Sequence, residues 1–169
     1  MNERSLIIEP LGSHHDRAAF SCGEPALDTY LQRQASQDIR RRVAQVFVAV
    51  GDAPGKLAGY YSLSAASFEK AELPPALAKR RPHYPVPAAV LGRLAIDRDL
   101  HGRGLGETLL LDAMRRVVRA STTIAVYAII VDAKNERAQA FYERYGFRAF
   151  ANEPRRLFLP LETVEKLRL

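Results

Sequence analysis

The chain has 169 residues, 47% of them hydrophobic and 26% charged, a globular composition long enough for one domain with a proper core. No apolar run reaches the roughly 18 residues that span a bilayer. The N-terminus MNERSLIIEP lacks the apolar stretch of a secretory signal, and the single cysteine, Cys22, excludes an internal disulfide. A net charge of +6 and a pI near 9.7 favour an anionic partner.

SLIIEPL reads as a first strand. Residues 24–39 read as a helix, with Pro25 in the first turn and Ala26, Leu27, Tyr30, Leu31 and Ala35 as its apolar stripe. VAQVFVAV and KLAGYYSLS read as strands joined through GDAPG, a hairpin signal. Residues 71–80 read as a short helix. RRPHYPVPAA reads as an irregular loop, because its three prolines remove donors and fix φ. AVLGRLAID is the next strand. A helix from about Leu105 to Arg119 follows, burying Leu109, Leu110, Ala113, Met114, Val117 and Val118. TIAVYAIIV is apolar enough for a strand covered on both faces. A helix from about Asn135 to Tyr145 stops at Gly146, RRLFLPL is a last strand, and ETVEKLRL is a terminal helix. An antiparallel portion followed by β-α-β-α-β predicts a mixed α+β or α/β fold. It is one mixed twisted sheet with helices on both faces, forming one domain over 1–169.

The stretch DRDLHGRGLGETLL places glycines directly before a helix. A helix N-terminus offers free N–H groups and partial positive charge to a phosphate, and glycine lets the backbone approach. The P-loop is excluded, because no Gly-Lys-[Ser/Thr] occurs. The dinucleotide fingerprint fails in both registers, since its third glycine falls on Glu107 or Leu109. Gly104 and Gly106 do fit the pyrophosphate loop [Gln/Arg]-x-x-Gly-x-[Gly/Ala] of acetyltransferases, with His101 in the leading position. A helix that merely begins with a glycine turn is the plainer alternative.

LGRLAIDRDLHGRGLGETLLLDAM followed by NERAQAFYERYGF resembles the core of the GNAT N-acetyltransferases over about residues 90–150. The resemblance implies a sheet with splayed strands and acetyl-CoA as cofactor. It implies that Leu94, Ala95 and Ile96 pair with the pantetheine arm, and that the turn His101, Gly102, Arg103, Gly104, Leu105 and Gly106 holds the pyrophosphate. It places Asn135 and Phe141 at the cofactor and Tyr142 at the general-acid position. A phenol with a pKa near 10 is able to protonate a leaving thiolate. On the helix from Asn135, Ala138, Phe141 and Tyr145 make one stripe, and on periodicity alone Tyr142 reads as a core aromatic rather than an acid. No carboxylate stands out as a base among Glu69, Glu72, Asp97 and Asp99. An α-amine, with a pKa of about 7.7–8.0, is partly neutral without one, which favours it over a lysine acceptor.

FSCGEPALDTYLQRQASQDIRRRVAQVFVAV resembles a branch of bacterial toxins that acetylate the α-amine of aminoacyl-tRNA and block translation. That resemblance implies aminoacyl-tRNA as acceptor, a ribbon-helix-helix antitoxin as partner, a homodimer, and Arg93 facing the acceptor. A buried structural pair is the alternative for Arg93. The cationic clusters Arg40-Arg41-Arg42 and Lys79-Arg80-Arg81 are candidate tRNA contacts, and His83 and Tyr84 offer a stacking surface. Arg115-Arg116 with Arg119, and Arg155-Arg156, complete the basic clusters, each of which also reads as a solvated face. Cys22 precedes a helix start that lowers thiol pKa values, but no paired histidine follows, so it reads as structural. No metal site, no membrane contact and a cytoplasmic location complete the reading. An acetyltransferase for small amines or proteins, and a non-catalytic nucleic-acid-binding module, stand as alternatives.

Overall fold

The computed structural model describes residues 6–51, 56–79 and 85–169. Seven strands hydrogen-bond in the order β1-β2-β3-β4-β5-β7-β6: β1 Ile7–Pro10, β2 Gln45–Val50, β3 Leu57–Phe68, β4 Val86–Ile96, β5 Ala128–Asp132, β6 Arg148–Phe150 and β7 Glu153–Pro160. The chain divides into two compact units at residues 64/65, 91/92 and 113/114.

In the first unit, β1, β2 and β3 form an antiparallel meander. Alternation along these strands feeds two faces. Val46, Val48, Leu57, Tyr60 and Ala95 form one cluster with Phe20, Tyr30, Leu31 and Ala35. Complete burial of a side chain such as Leu31 contributes about 2 kcal/mol. On the opposite face, Phe47 pairs with Tyr61 in register and their rings stack at 5.2 Å. There the Tyr61 hydroxyl donates to Asp112 at 2.5 Å, on helix α4 (Leu105–Ala120).

Residues 24–39 form a helical stretch with an interruption. α1 (Pro25–Thr29) and α2 (Ala35–Arg40) flank a π turn over Tyr30–Gln34, in which the Ala35 N–H donates to the Tyr30 carbonyl five residues back. Pro25 sits in the first turn as its fixed φ predicts, whereas Ala26 is exposed.

In the second unit, β4 runs parallel to β5 from Ala88↔Ala128 to Leu91↔Val131, and β7 pairs antiparallel with both β5 and β6. Phe68, Leu73, Val86, Ala88, Ala128, Ile130, Phe150 and Phe158 form its core. The region 71–80 holds a single 3₁₀ turn at Lys70–Glu72 and the short α3 (Pro75–Ala78). Helices α5 (Glu136–Arg144) and α6 (Leu161–Lys166) match the predicted positions.

Three readings are corrected. β4 begins at Val86, inside the stretch read as irregular. Pro87 is tolerated at the strand start, and its carbonyl accepts the Tyr127 N–H at 2.9 Å. β5 begins only at Ala128, because the amides of Ser121, Thr122, Thr123 and Ile124 bond back to carbonyls of the last turns of α4. The three-residue strand β6 was not anticipated. The helix α4 itself is as predicted, except that Val118 is only half-buried.

Candidate functional site

The strand end and glycine turn lie within the first unit. Past Leu91, residues 92–96 of β4 extend beyond the paired register with β5. Ala95 is buried, with Leu94 and Ile96 half-buried. A 3₁₀ turn over Arg98–Leu100 carries the chain into the glycine turn. Asp97, only 2% exposed, caps this turn: its carboxylate accepts the Asp99 N–H at 3.0 Å and the Ser21 N–H at 3.3 Å. The His101 ring meets the Ile96 carbonyl at 2.8 Å, so the leading residue of the motif braces the turn against the end of β4.

Gly102 and Gly104 have φ of +78° and +77°, where a side chain is strained, and a Cβ on either would project into open space. The first i→i+4 bond of α4 runs from Thr108 N–H to the Gly104 carbonyl at 3.2 Å. The amides of Leu105, Gly106 and Glu107 therefore belong to the unsatisfied first turn. A sixteen-residue helix adds its dipole to these donors. A backbone cradle with no Cβ in front of it, at a helix start, fits a pyrophosphate.

In the second unit, the Asn135 carboxamide oxygen accepts the Ala138 N–H at 2.8 Å and caps α5. Tyr142 is the buried residue of α5, at 8% exposure, while Phe141 and Tyr145 of the predicted stripe are half-buried. The Tyr142 ring makes edge contacts with Phe141 at 5.2 Å and Phe147 at 5.5 Å. Burial pushes its phenol pKa up to about 12, so the hydroxyl keeps its proton.

Each carboxylate considered as a base is engaged elsewhere. Glu69 and Glu72 form a capping box, Glu72 also meets Arg156 at 3.5 Å, and Asp99 lies 4.0 Å from Lys56. Asp97 serves the turn. Cys22 is buried, and its thiol is pushed up to about 11 by burial and by Asp28, opposite to the lowering that a helix start suggests.

Arg40, Arg41, Arg42 and Lys79 are exposed. Arg80, Arg81, His83 and Tyr84 lie outside the described residues. Arg156 is within 4.0 Å of Glu72, Asp132 and Glu153, which makes it a structural hub rather than a surface cation. The Arg93 guanidinium lies 3.5 Å from the centroid of the Tyr30 ring.

Residues 13–147 match the acetyltransferase (GNAT) family. The chain belongs to the GNAT acetyltransferase family. It is 38% identical over 152 residues, 90% of either chain, to a tRNA-acetylating toxin of Mycobacterium tuberculosis. The solved structure of AtaT complexed with acetyl-methionyl-tRNAfMet superposes with a TM-score of 0.90 at 34% identity, over 97% of this chain and 99% of that one. A mutant AtaT toxin bound to the C-terminus of the antitoxin AtaR and acetyl-CoA superposes with a TM-score of 0.82 at 32% identity, over 97% and 98%.

Two features of this GNAT chain escaped the sequence. The Tyr30–Arg93 stack joins residues far apart in sequence, and only the aromatic at Tyr30 and the cation inside an apolar strand hinted at it. Glu9, His14 and His15 bring potential ligand atoms within 4.8 Å of one another. There His15 Nδ1 accepts the Gly12 N–H, which puts the proton of a neutral ring on Nε2, facing Glu9 at 2.7 Å. The cluster therefore reads as a hydrogen-bonded pair with His14 alongside.

Proposed function

We propose that this chain transfers the acetyl group of acetyl-CoA to the α-amine of an amino acid carried on tRNA, and so acts as a translation-blocking toxin. The observation that carries this reading is the near-complete overlap with a toxin whose structure holds acetylated methionyl-tRNA. Acetyl-CoA supplies the acetyl group as a thioester. Backbone groups of Leu94, Ala95 and Ile96 are assigned to its pantetheine arm. The turn from His101 through Gly102, Arg103, Gly104 and Leu105 to Gly106 is assigned to its pyrophosphate, and Asn135 and Phe141 to further contacts.

Tyr142 holds a proton at Oη for the departing sulfur, and its raised pKa keeps that proton in place at neutral pH. No base is assigned, since Glu69, Glu72, Asp97 and Asp99 are engaged and a neutral fraction of the α-amine is available. Arg93, Arg40, Arg41, Arg42, Lys79, Arg80 and Arg81 are assigned to tRNA. A cytoplasmic homodimer neutralised by a ribbon-helix-helix antitoxin completes the proposal.

The test is incubation with labelled acetyl-CoA and a mixture of charged tRNAs, with polyamines and proteins present as competitors. Label on the aminoacyl group supports the reading. Label confined to polyamines or proteins overturns it.

A further inference from the structure

Arg93 and Ala95 point to the same face of β4 by strand alternation, and Ala95 packs in the cluster that holds Tyr30 and Tyr60. Arg93 is half-buried there, 3.5 Å from the Tyr30 ring centroid. At that distance no amino group fits between the guanidinium carbon and the ring. The planar group must lie flat, with its N–H bonds pointing outward in its own plane.

Two acids of the covering helical stretch are used by other donors. Asp38 accepts the Tyr30 hydroxyl at 2.8 Å, and Asp28 accepts the Cys22 N–H at 2.9 Å. Among the described residues no carboxylate lies within ion-pair distance of Arg93. A half-buried cation with a planar fork of donors and no acid of its own is built for an anion that arrives with a ligand.

The Tyr30 ring is itself fixed. It begins the π turn, it stacks with Tyr60 at 6.3 Å, and its hydroxyl is tied to Asp38. π turns recur at functional positions because the extra residue re-aims side chains.

We propose that Tyr30 is a platform that holds the Arg93 guanidinium flat as the receptor for a phosphodiester of the acceptor tRNA. The inference rests on the function proposed above. Tyr30 is a positioning residue, acting through Arg93, and Arg93 sits immediately before the Leu94–Ile96 segment on the same strand. The stack thus sets where the acceptor end of the RNA lies relative to that segment.

The test is steady-state acetylation of charged tRNA by the full-length protein, with KM for charged tRNA and for acetyl-CoA measured separately over a salt series. Arg93→Gln raises KM for charged tRNA by about tenfold, lowers the salt slope by about one, and leaves KM for acetyl-CoA unchanged. Arg93→Lys keeps the charge but loses the flat fork, and gives an intermediate KM with the salt slope retained. Tyr30→Leu keeps the Arg93 charge but releases its plane, so like Arg93→Lys it raises KM for charged tRNA with the salt slope retained; the double variant Tyr30→Leu/Arg93→Gln is no worse than Arg93→Gln alone, and Tyr30→Phe recovers most of the loss. If Tyr30→Leu does not fold, the Arg93→Lys and Tyr30→Phe comparison decides.

An unchanged KM and salt slope in Arg93→Gln, with the wild type acetylating charged tRNA, overturns this inference alone. Equal defects in Tyr30→Phe and Tyr30→Leu overturn the platform role. Absence of any charged-tRNA acetylation by the wild type overturns the proposed function, and this inference with it.

Discussion

Tyr142 is the buried side chain of α5, and burial raises its phenol pKa to about 12. The proton is held throughout the neutral range, and in the proposed mechanism it passes from Oη to the departing sulfur. Tyr142→Phe removes that donor while keeping the ring packed against Phe147, so kcat falls by about 10²-fold or more and acetyl-CoA affinity changes little. Stopped-time turnover with a parallel binding titration checks both halves. Full activity in the variant removes Tyr142 as the acid. The same burial makes stability pH-dependent. Cys22 is raised from 9.0 to about 11, and Tyr30 and Tyr142 from 10.0 to about 12. Above pH 9 the unfolded chain loses protons that the folded chain retains, so stability falls as pH rises. These contributions are fully present below the unfolded values and are lost through about pH 12. Melting temperature therefore drops from pH 9 upward, and Cys22→Ala flattens the part of the curve between pH 9 and about 11. An identical slope in that variant shows that Cys22 does not contribute.

At the scale of elements, α2 ends in a glycine-like turn without a glycine. Arg42 has φ +60°, its N–H donates to the Ile39 carbonyl at 3.1 Å, and the Val43 N–H donates to the Asp38 carbonyl at 3.0 Å. A left-handed arginine costs about 1 kcal/mol relative to glycine. Arg42→Gly is therefore expected to raise thermal stability while weakening charged-tRNA binding, two opposite changes read by melting and by binding titration. In the glycine turn the sign reverses. Gly104→Ala strains a residue at φ +77° by about 1 kcal/mol and sets a methyl on the proposed pyrophosphate cradle, so the stabilisation expected of acetyl-CoA with the wild type is expected to be lost in the variant. Retention of the full thermal shift contradicts the cradle.

Local signals made α4, α5, the Pro25 start and the glycine turn legible, because cap, proline and 3.6-residue periodicity act within a few residues. The π turn is not legible in the sequence, because Leu31 and Ala35 keep the four-residue spacing of an ordinary helix. The start of β5 was misplaced because apolar composition does not reveal that the amides after α4 are consumed by its own last turns. Core packing is the plain reading of Tyr142 as a helix aromatic, and the general-acid role comes only from the family resemblance; the structure buries Tyr142 and leaves Phe141 half-buried. Arg93 on Tyr30, Tyr61 on Asp112 and Asp97 under the Ser21 amide are long-range pairings with no local pattern.

At the scale of the whole molecule, the net charge of +6 is sorted into two kinds of cation. Arg156 is spent on three carboxylates, whereas Arg40, Arg41, Arg42 and Lys79 are exposed. Under the proposed function the second kind supplies several phosphate contacts, so binding of charged tRNA is expected to be salt-dependent, with log affinity falling linearly against log salt. A flat salt series would leave the basic patches without a role in the acceptor. The central claim is the acceptor itself. Its most direct measurement is mass spectrometry of the aminoacyl-adenosine released by nuclease from charged tRNA after incubation with the protein and acetyl-CoA. The account predicts one acetyl group on the α-amine with the wild type and its near-absence with Tyr142→Phe. Unmodified aminoacyl-adenosine with active wild-type protein would contradict it.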